Sequence, residues 1–113
     1  MPFIHVKTNV PVSSEKEQAL KAALGQAIAI IPGKSERWLM VEIDPERRLW
    51  FQGENTPAAM VEVSAYGSAQ PKVYEELTRE ICTVLHDTLS LDPARTYVKY
   101  EETPHWGWNG GNF

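Results

Sequence analysis

The chain has 113 residues and a formal net charge of −4 at pH 7, with 42% hydrophobic and 23% charged side chains. These values are typical of one globular domain over residues 1–113, and the acidic balance disfavours a nucleic-acid partner. No apolar run is long enough for a membrane span and the N-terminus lacks the features of a signal peptide, so we expect a cytoplasmic protein, with export by a route that leaves no sequence signal as the alternative.

Residues 1–57 have the pattern of a β-α-β unit. Alternation of apolar and polar side chains over residues 3–8 predicts the first strand. Apolar residues at helical spacing predict the helix that follows, and Pro32-Gly33 is expected to end it. A second alternating segment, residues 39–44, predicts another strand. The apolar stripe of the helix consists of Leu20, Leu24, Ala27, Ile28 and Ile31.

The start of this helix is marked by two serines, Ser13 and Ser14, either of which can act as the N-cap. Glu17 is placed for a capping box, in which its side chain would return to the backbone of the cap residue. The sequence therefore predicts a helix that begins at one of the two serines.

Residues 58–113 repeat the plan of the first half. Residues 58–65 and 96–102 alternate and predict strands, and Pro71 suits the start of the helix between them. The tail, residues 105–113, is aromatic and rich in glycine. The apolar stripe of the second helix consists of Val73, Leu77, Ile81, Val84, Leu85 and Leu89.

The predicted fold class is α+β. Right-handed crossovers place the strands of each β-α-β unit parallel, and two such units side by side give a four-stranded sheet with both helices on one face. The other face of the sheet is a mixture of aromatic, apolar and charged residues, which favours partial cover by another copy of the chain. Its residues are Phe3, His5, Lys7, Met40, Glu42, Met60, Glu62, Tyr97, Lys99 and Glu101.

Cysteine and histidine usage argues against redox and metal chemistry. Cys82 is the only cysteine, so the chain has neither an internal disulfide nor a Cys-x-x-Cys pair, and its place on the apolar side of a helix favours packing. His5, His86 and His105 lack the spacing of metal ligands. We therefore predict no metal and no cofactor.

The second residue, Pro2, is the most informative position for function. A small residue after Met1 normally allows the initiator methionine to be removed, which would leave Pro2 with a free secondary amine. Burial and a nearby cation would lower the pKa of that amine toward neutrality, where it could act as a base. The alternative is that Pro2 only shapes the chain terminus, and this residue alone does not exclude it.

Several residues could form a site around Pro2. Lys34, just after Pro32-Gly33, could hold a carboxylate and lower the pKa of the amine, or it could simply compensate the dipole of the preceding helix. The aromatic residues could line a pocket or seal a contact between subunits. They are Trp38, Phe51, Tyr97, Trp106, Trp108 and Phe113.

Four segments in order carry a resemblance to a known family. They are the opening Met1–Ile4, the turn Thr8–Pro11, the pair Gly33-Lys34 and the tail Trp106–Phe113. Together they resemble macrophage migration inhibitory factor and its bacterial relatives in the tautomerase superfamily. The resemblance extends over essentially the whole chain and includes the same β-α-β-β-α-β order.

The resemblance implies a homotrimer whose three sheets form a central barrel, with an active site at each subunit boundary. It implies that Pro2 acts as base and then acid on a keto–enol pair such as phenylpyruvate. Lys34 matches the lysine that binds the substrate carboxylate, and Tyr66 stands where an isoleucine supplies a backbone N–H to the same group. Tyr97, from a neighbouring subunit, matches a tyrosine of the pocket wall. Other pocket positions are matched by Phe3, Trp38, Trp108 and Phe113.

Three departures from the family pattern bear on specificity and activity. Lys99 replaces an asparagine that reaches the far end of an aromatic substrate, and Trp106 stands where a smaller apolar residue is usual. With Tyr66, these changes suggest a narrower pocket with an extra cation, and a substrate that is smaller or carries a second anionic group. Residues 57–60 replace the Cys-x-x-Cys of the animal proteins, so their proposed oxidoreductase role should not be transferred.

Two other interpretations stay open at this point. The chain could be a cytokine-like or partner-binding protein that keeps the fold, with an unknown protein receptor and a vestigial pocket. It could also catalyse another reaction of the superfamily, such as dehalogenation or decarboxylation, which requires additional arginines or acids near the N-terminus. The sequence does not establish where Arg37, Arg47 and Arg48 lie.

Overall fold

Four strands form one mixed sheet in the order β2-β1-β3-β4, as the computed structural model of residues 1–113 shows. Both helices pack on the same face, so the predicted α+β architecture is confirmed. The strands are β1 (Pro2–Thr8), β2 (Met40–Asp44), β3 (Ala59–Tyr66) and β4 (Thr96–Thr103), and the helices are α1 (Ser14–Ala27) and α2 (Pro71–Leu89).

The two β-α-β units meet at the centre of the sheet. Strands β1 and β2 are parallel, β3 and β4 are parallel, and β1 runs antiparallel to β3. The register places Phe3 beside Met40 on one side and Ser64 on the other. This pairing brings the start of β1, the start of β2 and the end of β3 to the same edge of the fold.

The core lies between the sheet and the helices, as the two sequence periods predict. Side chains alternate along β1 and β3, so that Ile4, Val6, Val61 and Val63 are almost wholly buried. The α2 stripe packs against them, and Pro71 occupies the first turn of that helix. Neither helix is long and apolar enough to cross a membrane.

Helix α1 begins at the predicted serines, but its capping interaction and its C-terminal end differ from prediction. Ser13 is the N-cap and accepts from the Lys16 backbone N–H at 3.2 Å, so the third helical position is Lys16 and the capping box expected for Glu17 does not form. The α-helix ends at Ala27, ahead of Pro32-Gly33, and continues as a 3₁₀ turn over Ile28–Ile30. Branched isoleucines and the residue before a proline both disfavour further α-helix.

The connection between the two halves, residues 45–58, is fixed by side chains from outside it. Asn9 donates to the carbonyl oxygens of Leu49, Asn55 and Thr56, and its own side-chain oxygen accepts from the Ala58 N–H at 2.9 Å. The partly buried Asn9 side chain thus satisfies backbone groups of the connection that no strand pairs. The Thr8–Pro11 segment therefore has a structural function at the end of the sheet far from Pro2.

Candidate active site

A cavity of about 640 Å³ opens beside the start of β1. Three elements converge on it: the N-terminal residues, the segment that leads into β2, and the C-terminal tail. No carboxylate lines it, although the whole chain carries a net charge of −4. The lining residues are Met1, Pro2, Phe3, Arg37, Trp38, Leu39, Met40, Ser64, Trp106, Gly107 and Trp108.

The tail reaches the cavity because it folds into a hairpin, with β5 (Gly107–Trp108) antiparallel to β6 (Gly111–Asn112). Asn109 and Gly110, the two turn residues, have φ of 52° and 83°. Positive φ at both positions is the geometry for which Asn-Gly turns are favoured in two-residue hairpins. The Asn-Gly pair is a sequence signal for this hairpin, whereas the aromatic and glycine-rich composition of the tail does not predict it.

The hairpin builds a continuous series of aromatic contacts. Trp38 meets Trp108 edge to face at 5.0 Å between ring centroids, and Trp108 lies parallel to Phe113 at 6.2 Å. Phe113 in turn contacts Tyr66 at 5.9 Å. These rings join the segment before β2 to the end of β3. They provide an apolar wall of the kind that small-molecule sites use.

Lys34 is delivered to the end of β3 by the turn that precedes it. Gly33 adopts φ of 82°, and the Lys34 N–H donates to the Ile31 carbonyl at 3.0 Å. The Lys34 ammonium then donates to the backbone oxygen of Tyr66 at 2.7 Å. The turn that ends the helical region therefore holds the Lys34 ammonium beside the Tyr66 backbone. At this position Lys34 does more than compensate the dipole of the preceding helix.

The N-terminal residue contacts the Tyr66 backbone and lies beside Lys34. The Met1 carbonyl oxygen accepts the Tyr66 N–H at 3.0 Å. Burial, and the Lys34 ammonium beside it, lower the pKa of the Met1 α-amine from 8.0 to about 6. With Met1 present the Pro2 nitrogen is an amide, so the only free amine at this site belongs to Met1.

The structure brings most of the predicted site residues together. Five of them line the cavity directly. Three others, Lys34, Tyr66 and Phe113, adjoin it and contact one another. Those that line it are Pro2, Phe3, Trp38, Trp106 and Trp108.

Three of the residues predicted for the pocket, Phe51, Tyr97 and Lys99, lie elsewhere in the protomer. Tyr97 packs against Phe51 at 4.7 Å between centroids, in a separate apolar cavity toward the other end of the sheet. Lys99 lies on the open face, where its ammonium is 3.3 Å from both Glu62 and Glu101. Only an adjacent copy of the chain could bring Tyr97 or Lys99 to the cavity beside Pro2.

Arg37 is a cavity residue that the sequence did not identify. It lies in the 3₁₀ turn Glu36–Trp38, with its guanidinium carbon 5.2 Å from the centroid of the Trp38 ring. Its direction depends on tertiary packing of that short turn, and no sequence pattern encodes it. Of the other two arginines, Arg47 bonds to Asp44 at 3.2 Å, and Arg48 borders a different hollow.

A second polar cluster forms on the open face of the sheet. His5 forms a hydrogen bond with Asp44 at 2.6 Å. The atoms of His5, Glu42 and Asp44 that could coordinate a metal lie within 4.8 Å of one another. His5 and, second, Arg47 hold the pKa of the Asp44 carboxyl below its ordinary value. Strand register therefore brings together residues of the types that bind metals, which their spacing along the chain does not indicate. The absence of a metal stays a prediction.

Comparisons with known proteins agree on one family. The sequence model of the family described as macrophage migration inhibitory factor matches residues 1–113. The chain is 34% identical to that factor from Mus musculus, with 100% of this chain and 99% of the mouse protein covered. It superposes on the crystal structure of Leishmania major MIF2 with a TM-score of 0.93 at 33% identity, with 100% and 97% of the two chains covered. A homologue from Prochlorococcus marinus gives a TM-score of 0.84 at 25% identity, over 98% of each chain.

Proposed function

The chain belongs to the macrophage migration inhibitory factor family of the tautomerase superfamily, and from this premise we propose that it is a keto–enol tautomerase of phenylpyruvate-like 2-oxo acids. The observation that supports this most directly is the bond from the Tyr66 N–H to the Met1 carbonyl, beside Lys34. That peptide oxygen stands in for an oxygen of a substrate carboxylate. Removal of Met1 would make the N–H and the ammonium available to such a group.

The proposed reaction uses one amine as both base and acid. In the enol-to-keto direction, the Pro2 amine accepts the proton of the enol hydroxyl and the resulting ammonium returns a proton to C3 of the substrate. Lys34 and the Tyr66 N–H hold the carboxylate, so the reacting carbon stays beside the nitrogen. The process is an isomerisation with no net consumption of protons, and it requires no covalent intermediate, metal or cofactor.

The surroundings of the N-terminus favour a neutral amine. Burial and Lys34 lower the pKa of the Met1 amine, and the same two causes would act on a Pro2 amine one residue further along the strand. An amine that is deprotonated near neutral pH is a competent general base, and its conjugate acid is strong enough to donate to carbon. Aromatic rings on the opposite wall would keep water from the transferred proton.

We further propose that the working form is a homotrimer in the cytoplasm. Strands β2 and β4 are sheet edges with unpaired backbone groups, and Met40 and Tyr97 on the open face are 68% and 60% exposed. A barrel of three sheets would pair those edges and bring the Tyr97 of one copy toward the cavity of the next. Sedimentation equilibrium should give three chain masses, and a monomer that remains fully active would contradict this arrangement.

Phenylpyruvate ketonisation tests the function directly. Met1-free protein, verified by mass spectrometry of the N-terminus, is compared with Pro2→Gly and with chain that retains Met1. We expect Pro2→Gly to lose about 10²–10⁴-fold in kcat/KM, the usual contribution of acid–base catalysis, and the Met1-retained chain to be inactive. A wild-type rate no better than that of Pro2→Gly would overturn the proposal and favour the partner-binding interpretation.

A further inference from the structure

Arg37 lines the cavity, and its guanidinium N–H groups have no hydrogen-bond partner in the protein. Its side chain is exposed, joins no ion pair and donates no hydrogen bond, and its one close partner is the Trp38 ring. Lys34, in contrast, already donates to Tyr66. A guanidinium carries several donors in a planar fork that matches a carboxylate, so this side chain presents an unused anion-binding group to the cavity.

The carboxylate adjacent in sequence to Arg37, that of Glu36, is placed against α1. The Glu36 side chain packs on Gly25, where a Cβ would collide with it. No other acid lines the cavity. The Arg37 charge is therefore left uncompensated in an otherwise acidic chain, which favours an anionic ligand as its partner.

Lys99, which the sequence suggested as the additional cation, has its charge neutralised locally. Two carboxylates, Glu62 and Glu101, lie 3.3 Å from its ammonium, and Glu62 is the main cause of its raised pKa. A second anionic group of a substrate would compete with both carboxylates at that position. Arg37 has no such competitor.

Lys34 and Arg37 stand at opposite ends of the aromatic series. Lys34 is bonded to Tyr66, the last ring of the series, and Arg37 lies over Trp38, the first. A ligand held at its 2-oxo acid end by Lys34 would place its other end along the wall toward Arg37. Stacking on Trp38 restrains the guanidinium, so less conformational entropy is lost when a carboxylate binds.

We propose that Arg37 binds a second carboxylate and that the site prefers enols of 2-oxo dicarboxylic acids to monoanionic 2-oxo acids. This inference rests on the proposed tautomerase function and specifies its substrate class. A charge-assisted, bidentate contact to a partly exposed guanidinium corresponds to an effect on the order of 10-fold in affinity. The contact contributes to substrate binding and takes no part in proton transfer, so it should appear in KM.

The test compares wild type with Arg37→Gln on two kinds of substrate, phenylpyruvate enol and the enols of 2-oxo dicarboxylic acids of increasing chain length. Arg48→Gln is the matched control, because it removes an exposed arginine outside the cavity. Thermal unfolding of each variant verifies folding. We expect Arg37→Gln to raise KM for the best dicarboxylate about 10-fold with kcat nearly unchanged, and to leave phenylpyruvate kinetics within about 2-fold of wild type.

The outcomes separate this inference from the function on which it rests. If Arg37→Gln changes kcat/KM for both substrates equally, or for neither, while wild type ketonises phenylpyruvate, the role of Arg37 is wrong and the tautomerase remains. A similar loss in Arg48→Gln would also overturn it, since general electrostatics would then explain the effect. If wild type turns over neither substrate class, the proposed function itself fails and the inference fails with it.

Discussion

Arg37 and Arg95 occupy matched positions at two ends of the sheet. Each guanidinium carbon lies 5.2 Å from the centroid of an aromatic ring, Trp38 for the first and Phe51 for the second. Each borders a cavity lined mostly by apolar side chains. Their hydrogen bonding differs completely, because Arg37 donates to no protein group, whereas Arg95 donates to the backbone carbonyls of Phe51, Glu54, Thr56 and Pro57.

The difference separates a structural arginine from one available to a ligand. Arg95 donates to four backbone carbonyls of the connection 45–58, so its donors are used in holding that connection beside β4. Arg37 has the same stacked geometry with its donors directed at solvent and cavity. Stacking on an aromatic ring therefore does not by itself identify a binding residue in this fold. The distinguishing property is whether the guanidinium N–H groups already donate to protein acceptors.

The largest effect is expected at the Pro2 end, from Lys34→Met. Loss of the carboxylate contact should lower kcat/KM for phenylpyruvate by about 10²-fold, within the range for removal of a charged hydrogen-bond partner. Because Lys34 helps to lower the pKa of the N-terminal amine, the acid limb of the pH–rate profile should also move to higher pH. Lys21→Met, on α1, is the control and should change neither quantity.

An unshifted acid limb in Lys34→Met would show that the cation does not depress the pKa of the amine. Burial, which is the larger cause for the Met1 amine, would then account for the lowered pKa alone. The loss in kcat/KM would in that case report only the carboxylate contact.

The second effect is expected at the opposite end, from Arg95→Met. Four carbonyl oxygens lose the Arg95 donor at once, and those of Phe51, Glu54 and Thr56 each keep one other donor. The free energy of unfolding should therefore fall by about 1–3 kcal/mol. Urea denaturation of Arg95→Met beside Arg37→Met measures the contrast, and the latter should unfold within about 0.5 kcal/mol of wild type. Equal destabilisation of the two variants would mean that the difference in hydrogen bonding has no energetic consequence.

The smallest effect concerns the ion pairs on the open face of the sheet. Lys7, 2.7 Å away, is the main cause of a lowered pKa at the Glu62 carboxyl. A carboxyl with a lower pKa in the folded state stabilises the protein above its unfolded pKa, ordinarily 4.5, and loses that contribution as the pH falls through the folded value. The stability difference between wild type and Glu62→Gln should therefore be present at pH 7 and decline as the pH falls below 4.5.

Urea denaturation of wild type and Glu62→Gln across this pH range measures the difference, with Glu75→Gln on the outside of α2 as the control. A difference that persists unchanged at the acid end would show that Glu62 contributes through packing and not through its charge.

The sequence predicted the fold because the two-residue period of its strands and the helical period of α2 are both regular. Alternation along β1 and β3 and the helical stripe of α2 each encode which face is buried, and this information is local. Lys34 and Pro2 could be predicted as site residues because motif residues occupy fixed positions along the chain. Arg37 and the grouping of His5 with Asp44 could not be found in this way. They depend on the orientation of a short turn and on strand register, which only the folded chain determines.

Met1 lines the cavity and Phe113 adjoins it through Trp108, and this has a practical consequence for any recombinant preparation. A tag fused before Pro2 converts the proposed catalytic nitrogen to an amide and leaves a carbonyl on the Tyr66 N–H. A tag fused after Phe113 is attached to a residue whose ring contacts both Tyr66 and Trp108. An assay of either fusion would report on a blocked or distorted site, so activity should be measured on tag-free protein.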